Sequence, residues 1–353
     1  MRKLTIPPEE AGQRLDKFLI KYFNKAPQSF VYKMLRKKNI KRNGKRADGS
    51  MLLAAGDLLE LFLAEDTFAL FREEKPQAAH AKAAREPLQT GRGVPPLSAC
   101  CRLIYEDSML IIADKKAGVL SQKSQSSDIS LNEVLLAYVQ AEAVQASDTA
   151  CPSLYTPSVC NRLDRNTTGL ITFAKTYAAA RCLSELFRGR TLRKDYLAAV
   201  KGELKCGGHV EAWLVKDAKT NRVRISALPQ PDAAHIETAY EPLLQKDGMS
   251  LLRVRLLTGK THQIRAHLAA LGHPILGDTK YGDAELNRVL REKYGIRTQL
   301  LHAFELQFPE FPEQFGAHAS ALGAISGRLF TAPPPPAFQK LFSKEALQEC
   351  GIV

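Results

Sequence analysis

The chain has 353 residues, a length that suggests two domains rather than one. Of these residues, 45% are hydrophobic and 25% are charged, which is typical of a globular protein. Fifty Lys and Arg residues against 37 Asp and Glu give a formal net charge of +13, and this excess favours a polyanionic partner such as nucleic acid. Seven cysteines without a C-x-x-C pair argue against a zinc ribbon and a disulfide framework.

The N-terminal part of the chain is predicted to form a small α/β domain. Apolar residues at i, i+3, i+4 and i+7 indicate a first helix: Leu15, Phe18, Leu19 and Tyr22. A second helix is expected at 30–35, with Ser29 as its N-cap. Asn43 and Gly44 predict a hairpin turn, and a last strand covers 58–63.

A basic run lies in this part of the chain. Between Lys33 and Arg46, eight of fourteen residues are Lys or Arg and none is acidic, whereas a solvated helix face usually mixes both signs. The run therefore predicts a surface that contacts RNA phosphates. Its basic residues are Lys33, Arg36, Lys37, Lys38, Lys41, Arg42, Lys45 and Arg46. Together with A-G-Q-R-L-D-K-F-L before the run and A-G-D-L-L-E-L after it, this region resembles the S-four-type RNA-binding domain, which implies RNA binding over 12–65.

Residues 66–101 lack sustained periodicity and are predicted to be a linker. In the second domain, at 102–345, short apolar runs predict strands at 110–113, 170–174, 195–200, 250–257 and 300–308. Helices are predicted at 131–139 and 261–271, and a surface insertion at 145–157. Because the strands outnumber the helices and do not alternate with them, we expect an α+β fold. Its second domain would be a mixed, mainly antiparallel sheet with flanking helices.

Three clusters could carry chemistry. In the run from Asn161 to Leu170, an extended backbone would place Arg162 and Asp164 on one side, although most such triplets are surface ion pairs. In the second cluster, Thr261 could cap a helix that places His262 near Arg265. Nearby histidines raise the question of zinc, but no cysteine or H-E-x-x-H pattern accompanies them, so no metal is predicted. In the third, the pattern alone makes Tyr196 a half-buried strand residue.

Together these blocks resemble the RluA-type family of pseudouridine synthases. The resemblance covers roughly residues 103–310 and includes I-Y-E-D at 104–107, R-L-D-R-N-T-T-G at 162–169 and K-D-Y at 194–196. It continues with T-G-K-T-H-Q-I-R-A-H-L at 258–268, G-H-P-I-L-G-D at 272–278 and L-H-A at 301–303. It implies an isomerase that needs no cofactor and converts uridine to pseudouridine in RNA, most specifically in 23S large-subunit ribosomal RNA or its assembly intermediates.

The resemblance also assigns roles to residues. Asp164 would be the nucleophile and Arg265 its cationic partner. Tyr196 would stack on the uracil and assist proton transfer, and Arg162 would help to hold the flipped-out nucleotide. The sequence departs from the family at Asn161, where histidine is common, and at Thr168, where serine is common; neither departure affects Asp164.

Other functions remain open on the sequence alone. The same chemistry could act on transfer RNA, the chain could be a non-enzymatic RNA-binding protein, or the carboxylate could serve a hydrolytic N-glycosidase. An N-terminus without an apolar run and the lack of an 18-residue apolar window predict no secretory signal and no membrane span. We therefore expect a cytoplasmic protein. We also expect it to be a monomer.

Overall fold

The structure, a computed structural model, describes residues 1–7, 10–72, 94–143, 155–217, 222–311 and 322–352. The middle of the predicted linker and most of the predicted insertion at 145–157 lie outside these ranges. The described residues form a small N-terminal unit and a larger unit, each built on its own β-sheet. No helix among them is long and apolar enough to cross a bilayer.

The N-terminal unit packs three helices against a sheet of strand order β1-β4-β2-β3. Its elements are β1 (Arg2–Thr5), α1 (Leu15–Tyr22), α2 (Gln28–Arg36), β2 (Ile40–Arg42), β3 (Lys45–Arg46), β4 (Leu58–Leu61) and α3 (Glu65–Phe71). The first predicted helix is confirmed, and its apolar face is buried. The hairpin is also confirmed, because Asn43 and Gly44 have φ angles of 51° and 75° between paired strands, as a type I′ turn requires.

Three predictions in this unit need correction. Pro27, and not Ser29, is the N-cap of α2, and no side chain caps this helix, because the helix starts two residues earlier than the cap prediction assumed. The last strand ends at Leu61. The beginning of the predicted linker is helical, since α3 inserts Phe68 into the N-terminal core. The burial of Phe68 stabilises this helix, although the stretch has too few apolar residues to show a helical period in the sequence.

The larger unit contains a sheet of eleven strands among the described residues, in the order β11-β10-β12-β13-β9-β14-β8-β6-β5, with β15 beside β14 and β7 beside β8. The strands are β5 (Cys101–Glu106), β6 (Leu110–Lys115), β7 (Ser158–Val159), β8 (Thr168–Ala174), β9 (Arg193–Lys201), β10 (Gly208–Asp217), β11 (Arg222–Ser226), β12 (Ala234–Lys246), β13 (Met249–Leu256), β14 (Leu301–Gln307) and β15 (Leu329–Thr331). The pairing is antiparallel except between β14 and β8, so the predicted α+β class with a mainly antiparallel sheet is confirmed.

Helices cover both faces of this sheet. They are α4 (Leu97–Cys100), α5 (Leu131–Ala143), α6 (Tyr177–Arg188), α7 (Gln263–Ala270), α8 (Ala284–Tyr294), α9 (Pro336–Gln339) and α10 (Lys344–Glu349). The predicted helices at 131–139 and 261–271 correspond to α5 and α7. Helix α6 was not predicted from the sequence. Its buried leucines pack against β6 and β8.

The two halves of the large sheet meet where β14 lies between β8 and β9. A very close backbone approach marks this junction: a Cβ at Gly169 would lie 2.2 Å from the carbonyl oxygen of Ala303, and Gly169 has a φ of 105°. Only glycine fits both the contact and the backbone conformation. The glycine therefore fixes how the loop preceding β8 enters the sheet.

The N-terminal unit contacts the larger one. The carboxylate of Glu10, which is buried, accepts a hydrogen bond of 2.6 Å from the backbone N–H of Tyr155. Arg181 on α6 donates to the carbonyl oxygen of Gly12 at 2.9 Å. The ammonium of Lys21 lies 5.1 Å from the ring centre of Tyr177.

Candidate active site

The loop that carries Asp164 is held by side chains on both sides of that residue. Ser121 accepts a hydrogen bond from the backbone N–H of Leu163 at 3.0 Å and donates to its carbonyl oxygen at 2.8 Å. On the other side, Lys115 donates to the carbonyl oxygen of Arg165 at 3.0 Å. Leu163 is buried while Arg162 is exposed, as predicted for an extended segment. Asp164 is therefore presented from a backbone with little freedom to move.

Lys115 is a buried lysine that the sequence analysis did not single out. Its side chain is inaccessible to solvent, and its ammonium also donates to the carbonyl oxygens of Lys116 and Val119, at 3.0 and 2.8 Å. Burial lowers its pKa to about 7, against the opposing effect of the Asp164 charge. Three carbonyl oxygens thus use all the donors of the ammonium and connect the loop after β6 with the loop of Asp164. The available signal was a lysine at the end of a strand that begins with four apolar residues.

Arg265 on α7 joins two carboxylates. Its Nη1 donates to Oδ2 of Asp164 at 2.7 Å, while its Nε and Nη2 donate to Oδ2 and Oδ1 of Asp278 at 2.7 and 2.9 Å. The side chain of Asp278 is fully buried and that of Arg265 is 7% exposed, whereas that of Asp164 is 23% exposed. The structure therefore brings the predicted nucleophile and its predicted partner into direct contact, with Asp164 on the solvent side.

Pairing keeps both Asp278 and Arg265 in their charged forms despite burial. Burial alone would raise the pKa of Asp278 and lower that of Arg265. The hydrogen bonds and charges of the pair outweigh burial, so the pKa of Asp278 lies below its ordinary value and that of Arg265 above it. Asp278 thus orients Arg265, and one guanidinium nitrogen faces Asp164. Asp278 is the last residue of the G-H-P-I-L-G-D block at 272–278, and the sequence alone assigned it no role.

Helix α7 starts at Gln263, and Thr261 is not its cap, contrary to the prediction. Its N-cap is His262, in a left-handed conformation with a φ of 57° and no side-chain cap. The amide of buried Gln263 instead accepts from Thr258 and the N–H of Lys260, at 2.9 and 3.1 Å. It also donates to the carbonyl oxygen of Glu237 at 2.9 Å. These bonds hold the first turn of α7 against the neighbouring strands and so position Arg265.

His262 also reaches the site. Its Nε2 lies 4.0 Å from Oδ2 of Asp164, and its Nδ1 lies 2.9 Å from the hydroxyl of Tyr281. That hydroxyl accepts a hydrogen bond of 2.9 Å from the N–H of Val223. His262 was predicted to lie near Arg265 and was considered as a metal ligand, but the sequence assigned it no catalytic role. Among the described residues, no group of three or more His, Cys, Asp or Glu side chains could hold a metal ion.

Tyr196 lies on β9 and belongs to the cluster that includes Leu163 and Ile264. It is 7% exposed. Burial, and then the charge of Asp164, raise its pKa above its ordinary value. The hydroxyl therefore keeps its proton and can donate a hydrogen bond.

The two departures from the family pattern have structural explanations. Asn161 accepts hydrogen bonds from the N–H and the hydroxyl of Thr172, at 2.7 and 2.9 Å, so its side chain binds β8. The hydroxyl of Thr168 lies 2.8 Å from Nδ1 of His302, whose Nε2 lies 2.8 Å from the carbonyl oxygen of Ala332. Burial lowers the pKa of His302 to about 4, so the neutral ring accepts from Thr168 and donates to Ala332.

The basic run forms one end of α2 and the hairpin that follows. Lys33, Arg36, Lys37, Lys38, Lys45 and Arg46 are exposed. Lys41 is partly buried, with its ammonium 5.1 Å from the ring centre of Phe62. Arg42 forms an ion pair of 2.6 Å with the buried carboxylate of Asp57, so it already has a structural partner. RNA contact by this surface stays a prediction.

The chain is similar to proteins of a known family. Residues 109–270 match the family model described as RNA pseudouridylate synthase. The ribosomal large subunit pseudouridine synthase C of Escherichia coli strain K12 is 31% identical over 307 residues, 86% of this chain and 88% of that protein. The protein of the same name from Vibrio cholerae is 29% identical over 320 residues, 90% of this chain and 92% of its own.

A solved structure shares the fold. Human RNA pseudouridylate synthase domain containing 4 superposes with a TM-score of 0.51 at 22% sequence identity. The match covers 72% of this chain and 94% of the human chain.

Proposed function

Because the chain belongs to the RNA pseudouridylate synthase family, we propose that it isomerises uridine in large-subunit ribosomal RNA and that Asp164 is its nucleophile. The substrate is inferred from the relatives, whose names specify the ribosomal large subunit and which align with almost the full length of this chain. The observation that carries the site is the contact between Asp164 and Arg265, in which the carboxylate stays partly exposed.

Pseudouridine formation breaks the bond between C1′ of the ribose and N1 of uracil, and joins C1′ to C5 instead. A carboxylate suits this chemistry because it can bind the anomeric carbon or the base transiently and then leave. Oδ2 of Asp164 is held by Arg265, and no described residue donates a hydrogen bond to Oδ1. We infer that Oδ1 attacks while Arg265 orients the group and balances its charge.

Tyr196 would form the wall against which uracil stacks. Base stacking on an aromatic ring contributes roughly 1–3 kcal/mol, which helps to offset the few kcal/mol needed to take a uridine out of its helix. Because burial keeps the phenol protonated, its hydroxyl would supply a proton or hydrogen bond to the base. Exposed Arg162 is placed beside Asp164 in sequence and would contact the flipped-out nucleotide.

The N-terminal unit would increase affinity for RNA through the exposed basic residues of α2 and the following hairpin. Each phosphate that a lysine or arginine neutralises releases counterions, which makes binding strong at low salt. The contact between α6 and the N-terminal unit would hold this unit against the catalytic one while RNA binds. We further propose that the protein acts as a cytoplasmic monomer on ribosomal RNA or its assembly intermediates.

A tritium-release assay tests the function. Large-subunit ribosomal RNA labelled at C5 of uridine should lose tritium when incubated with the purified chain, because C5 exchanges its hydrogen for a bond to the ribose. Asp164→Asn keeps the shape of the side chain and should lower the single-turnover rate by about 10⁴-fold or more, with RNA binding retained. Release from transfer RNA but not from ribosomal RNA would refute the substrate, and substantial turnover by the mutant would refute the nucleophile.

A further inference from the structure

His262 lies close to the carboxylate of Asp164 but forms no hydrogen bond with it. The 4.0 Å between its Nε2 and Oδ2 of Asp164 is too long for a hydrogen bond, and Oδ2 already accepts one from Arg265. The side chains of His262 and Asp164 are 10% and 23% exposed, so neither is sealed from solvent. Because Nε2 lies 4.0 Å from the carboxylate, we infer that it can reach a base bound beside Asp164.

The hydrogen bonds behind the ring decide which nitrogen carries the proton. The N–H of Val223 donates to the hydroxyl oxygen of Tyr281. Burial raises the pKa of Tyr281, so the hydroxyl keeps its hydrogen, and Nδ1 of His262 is the acceptor within reach at 2.9 Å. We therefore assign Nδ1 as the acceptor from Tyr281, which places the proton of the neutral ring on Nε2.

The ring is also kept neutral. Burial is the largest cause of its lowered pKa, and the charges of Arg265 and Lys280 lower it further. The carboxylates of Asp164 and Asp278 oppose this effect without reversing it. A neutral imidazole can donate a hydrogen bond close to Asp164 without competing with Arg265 for the negative charge of that carboxylate.

The backbone is strained at this residue. His262 has a φ of 57° and a ψ of 13°, in the left-handed region that non-glycine residues seldom adopt. Such strain persists where the surrounding structure enforces it, and it is concentrated at functional sites. Here it places the side chain of His262 near Asp164, while the residues that follow it, 263–268, are buried.

We propose that His262 is a catalytic residue whose Nε2–H donates a hydrogen bond to a carbonyl oxygen of uracil during the transfer. The proposal rests on the function proposed above. When the C1′–N1 bond breaks, its electron pair stays with the base, and the carbonyl oxygens of uracil share the negative charge. The charge disappears when C5 bonds to C1′, C5 gives up its proton and N1 gains one. A fixed N–H donor in a water-poor site stabilises such a charge more than it stabilises neutral uridine.

Two amide substitutions test where the donor must be. In His262→Gln the amide nitrogen replaces Nε2, whereas in His262→Asn it replaces Nδ1, which faces Tyr281. We expect the glutamine variant to keep its single-turnover rate within about 10-fold of wild type. The asparagine variant should be slower by about 10²–10³-fold, the usual loss when one such donor is removed, with unchanged RNA binding. Equal rates for the two folded variants, whether both fast or both slow, would overturn the proposal.

Sulfur-substituted substrates distinguish contact with uracil from positioning of Asp164. Ribosomal RNA transcripts containing 2-thiouridine or 4-thiouridine present a weaker acceptor at one carbonyl position. If His262 donates to that position, the substitution should slow the wild type by about 10-fold or more and the asparagine variant hardly at all. Independent effects at both positions would mean that His262 acts through another residue.

A measurement on the unmodified protein covers the case in which the variants do not fold. The ¹⁵N chemical shifts of His262 in the ligand-free chain report which ring nitrogen is protonated. We expect a neutral ring with its proton on Nε2 near pH 7. A proton on Nδ1 would overturn the proposal even if the chain modified a different RNA, because this measurement needs no substrate.

Discussion

Removal of the guanidinium of Arg265 should reverse the sign of the pH dependence of stability that Asp278 contributes. Arg265→Leu leaves a fully buried carboxylate without its bidentate partner. Breaking a buried ion pair from one side typically costs about 3–5 kcal/mol, and we expect a loss of this size in the free energy of unfolding at pH 7. Helix α7 and the loop of Asp278 should be the regions that loosen.

The sign follows from the two protonation states of Asp278. In the wild type its pKa lies below the ordinary value of about 4 because Arg265 pairs with it. Its stabilising contribution is thus complete above the unfolded pKa and is lost as pH falls through the folded pKa. In Arg265→Leu, burial without a cation raises the folded pKa above the unfolded one. The folded mutant then binds the extra proton, and its stability falls as pH rises, by up to about 1.4 kcal/mol per pH unit.

Urea unfolding at pH 5, 6 and 7 measures this effect as the difference between wild type and Arg265→Leu. The difference should grow by up to about 3 kcal/mol over this interval. The double mutant Arg265→Leu/Asp278→Asn is the control, because it has no buried charge and its difference from wild type should stay level. A difference for the single mutant that does not change with pH would refute the assignment of Asp278 as the buried partner.

Three further predictions concern other parts of the molecule. Tyr196→Phe should bind RNA but lose turnover by about 10²–10⁴-fold if the hydroxyl moves a proton, whereas Tyr196→Ala should also bind poorly; near-normal single-turnover rates in both would make it a structural strand residue. Gly169→Ala should lower the free energy of unfolding by about 2–5 kcal/mol, because the new methyl group would overlap Ala303 and strain the backbone. Gly118 also has a positive φ, of 84°, but no atom lies within 4 Å of an added Cβ, so Gly118→Ala should lower it by only about 1 kcal/mol. Deleting residues 1–72 should make the salt dependence of RNA binding shallower, and equal slopes with and without them would show that the N-terminal unit does not bind RNA.

The elements that the sequence predicted are those with a clear hydrophobic period. Helix α1 buries a regular stripe, and every residue of β8 is buried, so both have a strong local pattern. Strand β10 was missed because it lies near the edge of the sheet, where only two of its ten residues are buried. Helix α6 was not predicted although its buried residues recur with a helical period.

The candidate site was predictable only in part. Motif resemblance identified Asp164, Tyr196 and Arg265, and the structure brings the aspartate and the arginine together. The buried partner of the arginine could not be found from spacing, because Asp278 lies thirteen residues beyond Arg265 and the two meet only through the fold. The role proposed for His262 depends on the hydroxyl of Tyr281 and on a backbone N–H of strand β11, which are distant from it in the sequence, so no local pattern shows them.

The position of β14 has a consequence for how the protein becomes active during its synthesis. This strand lies between β8 and β9, although it follows β9 by a hundred residues in the chain, so neither of its neighbours has a permanent partner on that side until it arrives. The ribosome must therefore release residues 301–307 before the loop of Asp164 and the strand of Tyr196 can be joined into one sheet. Long-range pairing of this kind is slow to form, and a nascent chain that ends before β14 should hold both residues without being able to modify RNA.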